Sequence, residues 1–194
     1  MKRLFDTVFS IFGLVFLAPI LLLIVLLLLA TLNGTVIYKQ VRVGRNNKDF
    51  KIFKFRTMYV NADKLGLLSV GNRDPRITQI GYYLRKFKLD ELPQLLNVLK
   101  GDMSFVGPRP EVRKYVNFYN QKQMNVFKVR PGITDLASIE FRNESELLSN
   151  QEDPDSYYVN VIMPKKLQTN LDYLEKRKLI KDVGVIVKTF WAII

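Results

Sequence analysis

The segment IFGLVFLAPILLLIVLLLLA, residues 11–30, decides the fold because it holds twenty residues without a charge. As a single helix it would be about 30 Å long, which is the thickness of the hydrocarbon core of a bilayer. Length alone therefore predicts a transmembrane helix. Pro19 lies near the middle of the segment, and a proline in a helix interior removes a backbone hydrogen bond and kinks or breaks the helix. The segment is therefore predicted to break at Ala18 and Pro19.

The charges on both sides of this segment bear on how it meets a membrane. Basic residues flank both ends: Lys2, Arg3, Lys39, Arg42, Arg45 and Lys48. The positive-inside rule places both ends on the cytoplasmic side. We therefore favour a re-entrant helix-break-helix over residues 1–33, whose two arms of about 14 residues, or about 21 Å each, enter and leave the same leaflet. A straight span is the alternative, and a signal peptide is disfavoured because its apolar region is usually about 7–15 residues long.

The composition limits the chemistry that the chain can perform. Its 194 residues suit one domain of ordinary size plus an attachment, so residues 34–194 are predicted to form one unit. Thirty Lys and Arg against eighteen Asp and Glu give a net charge of +12, which favours an anionic partner such as nucleic acid, an acidic membrane surface or a phosphorylated small molecule. The absence of Cys excludes disulfides and thiolate catalysis. The absence of His removes the commonest general base, and any metal is expected to be a hard cation such as magnesium.

Beyond the apolar segment the pattern predicts a mostly helical α/β unit. Alternating residues at 35–44 and 49–58 predict two short strands around a turn. Helical periodicity covers residues 77–87, 112–128 and 157–178. The apolar end, residues 182–194, is predicted to be a helix that lies either in the membrane interface or in the core. Three aromatic residues are expected in the core rather than on a base-stacking platform: Tyr82, Tyr83 and Phe87.

The stretch RKFKLDELPQLLN, residues 85–97, places two adjacent carboxylates, Asp90 and Glu91, directly behind three cations. Asp90 is predicted as the N-cap of a helix that ends at Gly101, and a cap without further role is the ordinary meaning of such a pair. The apolar face of that helix is predicted to be Leu92, Leu95, Leu96 and Leu99. A capping carboxylate is also held ionised by backbone N–H groups and cations, as a nucleophilic carboxylate must be. Because adjacent residues on a helix face different directions, the pair suits a division of labour in which one carboxylate attacks and the other holds a metal.

Several separate motifs surround this pair. KLDELPQLLNVLKGDMSFVGPRP, residues 88–110, is preceded by FKIFKFRTM, residues 50–58, and followed by VRPGIT, residues 129–134. In this order they closely resemble the bacterial sugar transferase family, the small membrane-bound phosphoglycosyl transferases that begin the assembly of surface glycans. The resemblance covers nearly the whole chain. It implies a compact α/β cytosolic unit with an N-terminal re-entrant membrane helix-break-helix, at the cytoplasmic face of the bacterial inner membrane.

The resemblance also implies an activity. Members of the family transfer a sugar-1-phosphate from a UDP-sugar to polyprenol phosphate through an aspartyl phosphosugar intermediate, with magnesium, and release UMP. Asp90 matches the nucleophile and Glu91 the metal-associated acid. Cationic positions around the phosphate and nucleotide site are matched by Lys54, Arg85, Arg109 and Arg142, and Asp155 matches a recurring acidic position to which we assign no role. The expected partners are a UDP-sugar, polyprenol phosphate and the cytoplasmic leaflet, with no nucleic acid, and a homodimer is left open.

The chain departs from the family pattern at two places. Ala18 stands where many members have a serine, so no hydroxyl is present there to bond the backbone carbonyls freed by Pro19. Residues 135–148, DLASIEFRNESELL, differ from a common Gly- and Trp-containing pattern, a difference that bears on substrate choice. Two other functions stay open. One is a membrane-anchored basic protein that binds anionic lipid or nucleic acid without catalysis, and the other is an enzyme in which polyprenol phosphate attacks the sugar nucleotide directly.

Overall fold

The computed structural model describes residues 1–193 except 33, 63–65, 67, 69, 70, 72 and 73. The boundary predicted after residue 33 and the final residue 194 thus involve positions outside the described residues. The division into residues 1–33 and 34–194 stays a prediction. The helices are α1 Lys2–Phe16, α2 Ala18–Thr31, α3 Gln79–Lys86, α4 Gln94–Lys100, α5 Arg113–Val116, α6 Leu136–Glu140, α7 Glu144–Ser149, α8 Pro154–Tyr157, α9 Met163–Glu175 and α10 Leu179–Ile193, and the strands are β1 Ile37–Val43, β2 Asp49–Phe55, β3 Ser104–Val106 and β4 Gly132–Thr134.

The apolar segment forms two helices, α1 and α2, that are bent by 60° at the break between them. The break falls at Leu17, just before the predicted Ala18 and Pro19, so that Pro19 occupies the first turn of α2. Proline is tolerated in a first turn because the backbone N–H it lacks would have no partner there. Within the described residues, no single helix is long and apolar enough to cross a membrane, whereas the bent pair meets the length and composition test together.

Three polar residues near the start of α1 fix this helix to the rest of the chain. Lys2 forms an ion pair with Asp182 of α10. Arg3 donates two hydrogen bonds, of 2.5 and 2.8 Å, to backbone carbonyls in the last turn of α4. The buried Asp6 carboxylate accepts hydrogen bonds of 3.1 and 3.2 Å from a hydroxyl and a backbone N–H of β3. The apolar arm is therefore joined to three separate elements by buried polar contacts, which are strong when solvent is excluded.

The strands form two small sheets, and the expectation of a mostly helical unit with small sheets is confirmed. β1 and β2 pair antiparallel, with Ile37 opposite Phe55 and Val43 opposite Asp49, as the alternating pattern predicts. β3 and β4 pair in parallel. Both strands are short, since Gly107 and Pro108 directly follow β3 and Pro131 directly precedes β4.

The main core cluster is formed by α9 together with side chains from β1, α5 and α7. Its buried side chains include Val43, Tyr115, Leu148, Ile162 and Leu167. The segment 112–128 is not the single helix that its pattern predicts, because it divides into α5 and a short 3₁₀ helix over Gln123–Lys128. Asn120 and Gln123 exchange hydrogen bonds between side chain and backbone, at 2.8 and 2.9 Å. Such reciprocal bonds start a new helical turn and end the old one.

The helical segment predicted over 157–178 is present, and Pro164 lies within it. Residues Tyr158–Ile162 form a π-helical turn, and Pro164 lies in the first turn of α9. A wider turn before a proline avoids the clash that a regular helix would produce with the carbonyl four residues earlier.

The C-terminal helix α10 has one packed face and one exposed face. Val185 is buried against β3 and α9, in a cluster with Val106 and Tyr173, whereas Phe190 and Trp191 are 62% and 71% exposed. The core alternative is therefore confirmed for one face, and an interfacial position of the exposed face stays a prediction. The core prediction for three aromatic residues is wrong, since these side chains are also exposed: Tyr82, Tyr83 and Phe87.

Candidate active site

The adjacent carboxylates lie in a short 3₁₀ turn, Leu89–Glu91, that precedes α4. Lys88 has a left-handed backbone with φ of +55°, which is uncommon for a residue with a side chain. This conformation ends α3 and turns the chain sharply. The prediction that Asp90 caps the following helix is therefore wrong, because α4 begins at Gln94 with Pro93 at its N-cap position. The predicted end at Gly101 is confirmed, with φ of +93°, a conformation that glycine adopts without strain.

The buried face of α4 also differs from the predicted leucine stripe. Leu95 is buried but Leu96 is 41% exposed, and the buried positions are Gln94, Leu95, Asn97 and Val98. The reason is that α4 lies between α1 and β2. Asn97 bonds β2 directly: its Oδ1 accepts from the backbone N–H of Phe53 at 2.9 Å, and its Nδ2 donates to the carbonyl of Lys51 at 2.8 Å. These bonds fix α4 beside the strand that carries Lys54.

Glu91 is the centre of a group of paired charges. Its carboxylate accepts a hydrogen bond from the Lys54 Nζ at 2.8 Å and two from the Arg109 guanidinium, one of them at 3.2 Å. Burial opposes the ionisation of Glu91, but Arg109 and Lys54 outweigh it and hold the pKa of Glu91 well below its ordinary value. Burial also lowers the pKa of Lys54, an effect that the neighbouring Glu91 partly offsets. Glu91 is therefore an anion clamped between two cations.

Asp90 is held differently from its neighbour. The residue is only 6% exposed, and within the described residues no cation lies within ion-pair distance of its carboxylate. Burial raises the pKa of Asp90 and Glu91 raises it further, while Lys54 and Arg85 act in the opposite direction. Our expectation that helix-cap contacts keep this carboxylate ionised is thus wrong in its cause, since the cap does not exist. The two carboxylates do differ in environment, as a division of labour requires.

Arg109 reaches Glu91 because two glycines allow close approach of the backbones around it. A Cβ on Gly107 would lie 2.4 Å from the carbonyl oxygen of Arg130, and one on Gly132 would lie 2.1 Å from the backbone nitrogen of Gly107. Distances this short exclude any larger residue. The end of β3 is therefore pressed against the start of β4, and the loop that follows carries Arg109 toward Glu91.

Arg85 is positioned by the chain that leaves β2. Its Nε donates a hydrogen bond of 3.0 Å to the Thr57 hydroxyl. A Cβ on Gly81 would lie 2.0 Å from the Thr57 carbonyl oxygen, so only glycine lets α3 approach so closely. Burial lowers the pKa of Arg85, and Asp90 counteracts this effect. Arg85 is therefore a part-buried cation at a fixed place rather than a solvated surface residue.

One cavity of about 1370 Å³ collects the residues that the sequence singles out. Its lining includes Lys54, Arg85, Asp90, Glu91, Arg109 and Arg142. Arg142 is exposed between α6 and α7. The structure therefore brings all six residues to one cavity, and their individual roles stay predictions. A cavity of this volume accommodates a ligand larger than most drug-sized molecules.

Asp155 does not line this cavity. Its carboxylate bonds the Lys114 Nζ at 2.5 Å and the Tyr115 hydroxyl at 2.6 Å, and these bonds lower the pKa of Asp155. These contacts join α8 to α5. Asp155 therefore holds two short helices together.

Several residues near the cavity are not predicted as site residues by any motif in the sequence. Glu111 accepts hydrogen bonds from Arg42 at 3.2 Å and from the Tyr158 hydroxyl, and all three line the cavity. Thr57 lines the cavity and accepts the hydrogen bond from Arg85, and Asn97 joins α4 to β2. Glu111 directly follows the proline-rich motif that contains Arg109, and this proximity in sequence is the one signal that could have found it.

The acidic residues near the cavity fit magnesium only as a partial set of ligands. Within the described part of the chain, no group of three or more acidic side chains is placed to hold a metal ion. Two adjacent carboxylates, Asp90 and Glu91, supply the oxygen atoms that Mg²⁺ prefers. Magnesium is usually bound by one or two carboxylates together with water and substrate phosphates. The donor set therefore fits magnesium provided that phosphate oxygens complete it.

The family model described as bacterial sugar transferase matches residues 1–194. An uncharacterized sugar transferase, EpsL, of Bacillus subtilis (strain 168) is 44% identical over 143 residues, which are 74% of this chain and 70% of that protein. The exopolysaccharide production protein ExoY of Sinorhizobium fredii is 34% identical over 207 residues, covering 99% of this chain and 84% of the relative.

Longer proteins also match. The UDP-glucose:undecaprenyl-phosphate glucose-1-phosphate transferase of Klebsiella pneumoniae is 37% identical over 192 residues, which are 97% of this chain but only 39% of that protein. Matches of this extent confirm the expected family and its enzyme class. The chain belongs to the bacterial sugar transferase family.

Proposed function

We propose that this protein transfers a sugar-1-phosphate from a UDP-sugar to polyprenol phosphate through a covalent bond to Asp90, as the first membrane step of surface glycan synthesis. The observation that carries the proposal is a buried pair of carboxylates in unlike environments, on the wall of one large cavity that is also lined by Lys54, Arg85, Arg109 and Arg142. Phosphoryl transfer depends mainly on positioning and on neutralising phosphate oxygens, which is what such a cavity supplies. Relatives named for transfer between UDP-glucose and undecaprenyl phosphate support the same reaction.

In the first step, Lys54, Arg85 and Arg109 hold the diphosphate of the donor by charge. A carboxylate oxygen of Asp90 attacks the phosphorus that bears the sugar, a bond forms between this oxygen and phosphorus, and the bond to the oxygen of UMP breaks. UMP leaves as a stable anion and needs no proton. The reaction therefore proceeds without an imidazole base in a chain that has no His.

In the second step, an oxygen of polyprenol phosphate attacks the phosphorus of the aspartyl phosphosugar. A new diphosphate bond forms, the bond to Asp90 breaks, and the carboxylate is regenerated. The attacking group is already an oxyanion, so again no general base is needed. The raised pKa of Asp90 reflects a carboxylate with little solvation, which lowers the desolvation that attack requires.

Magnesium belongs to this proposal as the expected metal. When bound by Glu91 and donor phosphate oxygens, it would neutralise charge on the phosphate that reacts. Removal of divalent metal with EDTA should abolish UMP release, and added magnesium should restore it. Activity that persists in EDTA would remove magnesium from the mechanism.

Membrane attachment suits the second substrate, because the isoprenoid chain keeps its phosphate at the headgroup plane. The bent pair α1 and α2 supports a re-entrant arm, since exposed apolar side chains extend along both helices. A cysteine appended before Met1 and another replacing the exposed Lys48 should label from the same side of the membrane. Labelling from opposite sides would establish a straight span instead.

The covalent step is tested without any acceptor. Labelled UMP should exchange into the UDP-sugar, and intact protein quenched rapidly after addition of donor and metal should gain the mass of one phosphosugar. Asp90→Asn should show neither result, because an amide cannot attack. Transfer without exchange or adduct would favour direct attack by polyprenol phosphate. Wild-type protein that binds anionic lipid but releases no UMP from any donor would identify a binding protein.

A further inference from the structure

One face of helix α9 lines the cavity. This helix lies far along the chain from the charged motifs. Four of its residues line the cavity at positions i, i+3, i+4 and i+7: Met163, Lys166, Leu167 and Asn170. This spacing places side chains on one side of a helix. Asn170 is therefore part of the cavity wall by position as well as by contact.

Two pairs of polar side chains that line the same cavity bond each other. Lys166 donates to Glu144 at 2.6 Å, so the charge of each is neutralised by the other. The hydroxyls of Thr134 and Thr189 are 2.6 Å apart and share one hydrogen bond. All four of these residues line the cavity. These two pairs therefore add no net charge to the cavity wall.

Asn170, which lines the same cavity, is not paired in this way. The residue is 5% exposed, and its buried Oδ1 has no hydrogen-bond partner within the described residues. Buried amide oxygens are nearly always hydrogen-bonded, so each exception needs an explanation. Because Asn170 lines the cavity, a ligand that fills the cavity can supply the partner. Rotation of the amide about χ2 exchanges its oxygen and nitrogen, so this group can accept or donate toward a ligand.

Resting on the proposed function, we propose that Asn170 is a specificity-determining residue of the donor site, where its amide bonds a hydroxyl or acetamido group of the sugar. The phosphates of the donor are served by the cations at Lys54, Arg85 and Arg109. An uncharged amide without a partner suits the uncharged part of the donor instead. A sugar hydroxyl both donates and accepts, so it satisfies the amide in either orientation.

The test compares donors rather than overall activity. Asn170→Leu removes the amide while nearly keeping its size, and Gln168→Leu is the matched control, because Gln168 is exposed on the same helix and bonds Asp172. UMP release is measured with undecaprenyl phosphate and four donors, namely UDP-glucose, UDP-galactose and their N-acetylated forms. For the donor preferred by the parent, kcat/KM should fall about tenfold relative to the others in Asn170→Leu, as the loss of one hydrogen bond predicts. Gln168→Leu should keep the order of donors.

Inhibition by UMP identifies which part of the donor Asn170 contacts. UMP lacks the sugar, so its inhibition constant should be the same in the parent and in Asn170→Leu. An equal fall for all donors with weaker inhibition by UMP would assign Asn170 to the uracil ring and overturn the proposal, and unchanged donor ratios would overturn it as well. If Asn170→Leu does not fold, Asn170→Ser serves in the same measurements. Failure of the parent to release UMP from any donor would instead overturn the proposed function.

Discussion

Two buried charge clusters in this molecule look alike in composition and differ in position. In the Asp182 cluster, the carboxylate of Asp182 pairs with Lys2 and Arg177 and accepts a hydrogen bond from the Tyr173 hydroxyl. In the Glu91 cluster, Glu91 pairs with Lys54 and Arg109. None of the four residues of the first cluster is among the described residues that line the cavity, whereas every member of the second is.

The difference separates a structural cluster from a reactive one. Asp182 is 1% exposed. Its carboxylate contacts Lys2 of α1 and Tyr173 of α9, as well as Arg177, and these contacts join α1 and α9 to α10. In the Glu91 cluster a second carboxylate, that of Asp90, lies beside the ion pairs of Glu91. Within the described residues, Asp90 itself forms no ion pair. A buried charge that is left without a direct partner lowers stability, and proteins keep such groups mainly at functional sites. Mutations should therefore affect stability in one cluster and turnover in the other.

The largest expected effect is on turnover in Asp90→Asn. UMP release should fall by about 10³-fold or more, as for loss of a nucleophile. The free energy of unfolding should not fall, because the folded-state pKa of Asp90 is raised by burial and its charge therefore opposes folding at neutral pH. Denaturant unfolding and UMP assays on one preparation measure both. A variant that unfolds easily would show that Asp90 belongs with the structural cluster.

The opposite result is expected for Asp182→Asn. Removing one member of a buried ion pair costs about 3–5 kcal/mol, and Lys2 and Arg177 would lose their shared partner. The urea midpoint should fall markedly while turnover per folded molecule stays at the parent value. Loss of turnover in protein shown to be folded by circular dichroism would break the distinction between the clusters.

The two lysines provide a sharper comparison. Lys54→Met should lower turnover about 10²-fold, because it removes one of the cations that stabilise developing phosphate charge. Lys2→Met should cost only about 1 kcal/mol of unfolding free energy, since Tyr173 and Arg177 still contact Asp182. The same two assays apply. Equal effects of both substitutions on turnover would mean that the lysines act through the fold.

The smallest effect is expected at Gly101, where α4 ends. Gly101→Ala should lower stability by about 1 kcal/mol, because φ is +93° and the added Cβ would lie 3.2 Å from Arg3. Gly184 in α10 has nothing within 4 Å of such a Cβ, so Gly184→Ala should raise stability by about 0.5–1 kcal/mol. Thermal unfolding of both variants checks the pair. A stabilised Gly101→Ala would contradict the observed helix end.

Local signals in the sequence predicted the parts of the fold that depend on neighbouring residues. Alternation predicted the β1–β2 hairpin, and a glycine after an apolar stretch predicted the end of α4. The single helix over 112–128 was wrong because Asn120 and Gln123 form a local bonding pattern that periodicity does not register. The helix cap at Asp90 was wrong because nothing in a lysine indicates a left-handed backbone at Lys88.

The site was predictable only where its residues carry charge. Lys54, Arg85, Arg109 and Arg142 were found through the family motifs, and the fold gathers them around one cavity. Uncharged residues such as Thr57, Asn97 and Asn170 escaped because their importance depends on partners distant in sequence. A buried side-chain amide that lacks a hydrogen-bond partner can be recognised only once the surrounding structure is known.

The ion pair between Lys2 and Asp182 joins positions that are 180 residues apart. During synthesis, α1 is complete long before α10 exists, so the apolar arm cannot acquire this contact until nearly all of the chain has been translated. Contacts of such long range form late and slow the final assembly. In a nascent chain halted before α10, the first helix would therefore lack its ion pair with Asp182.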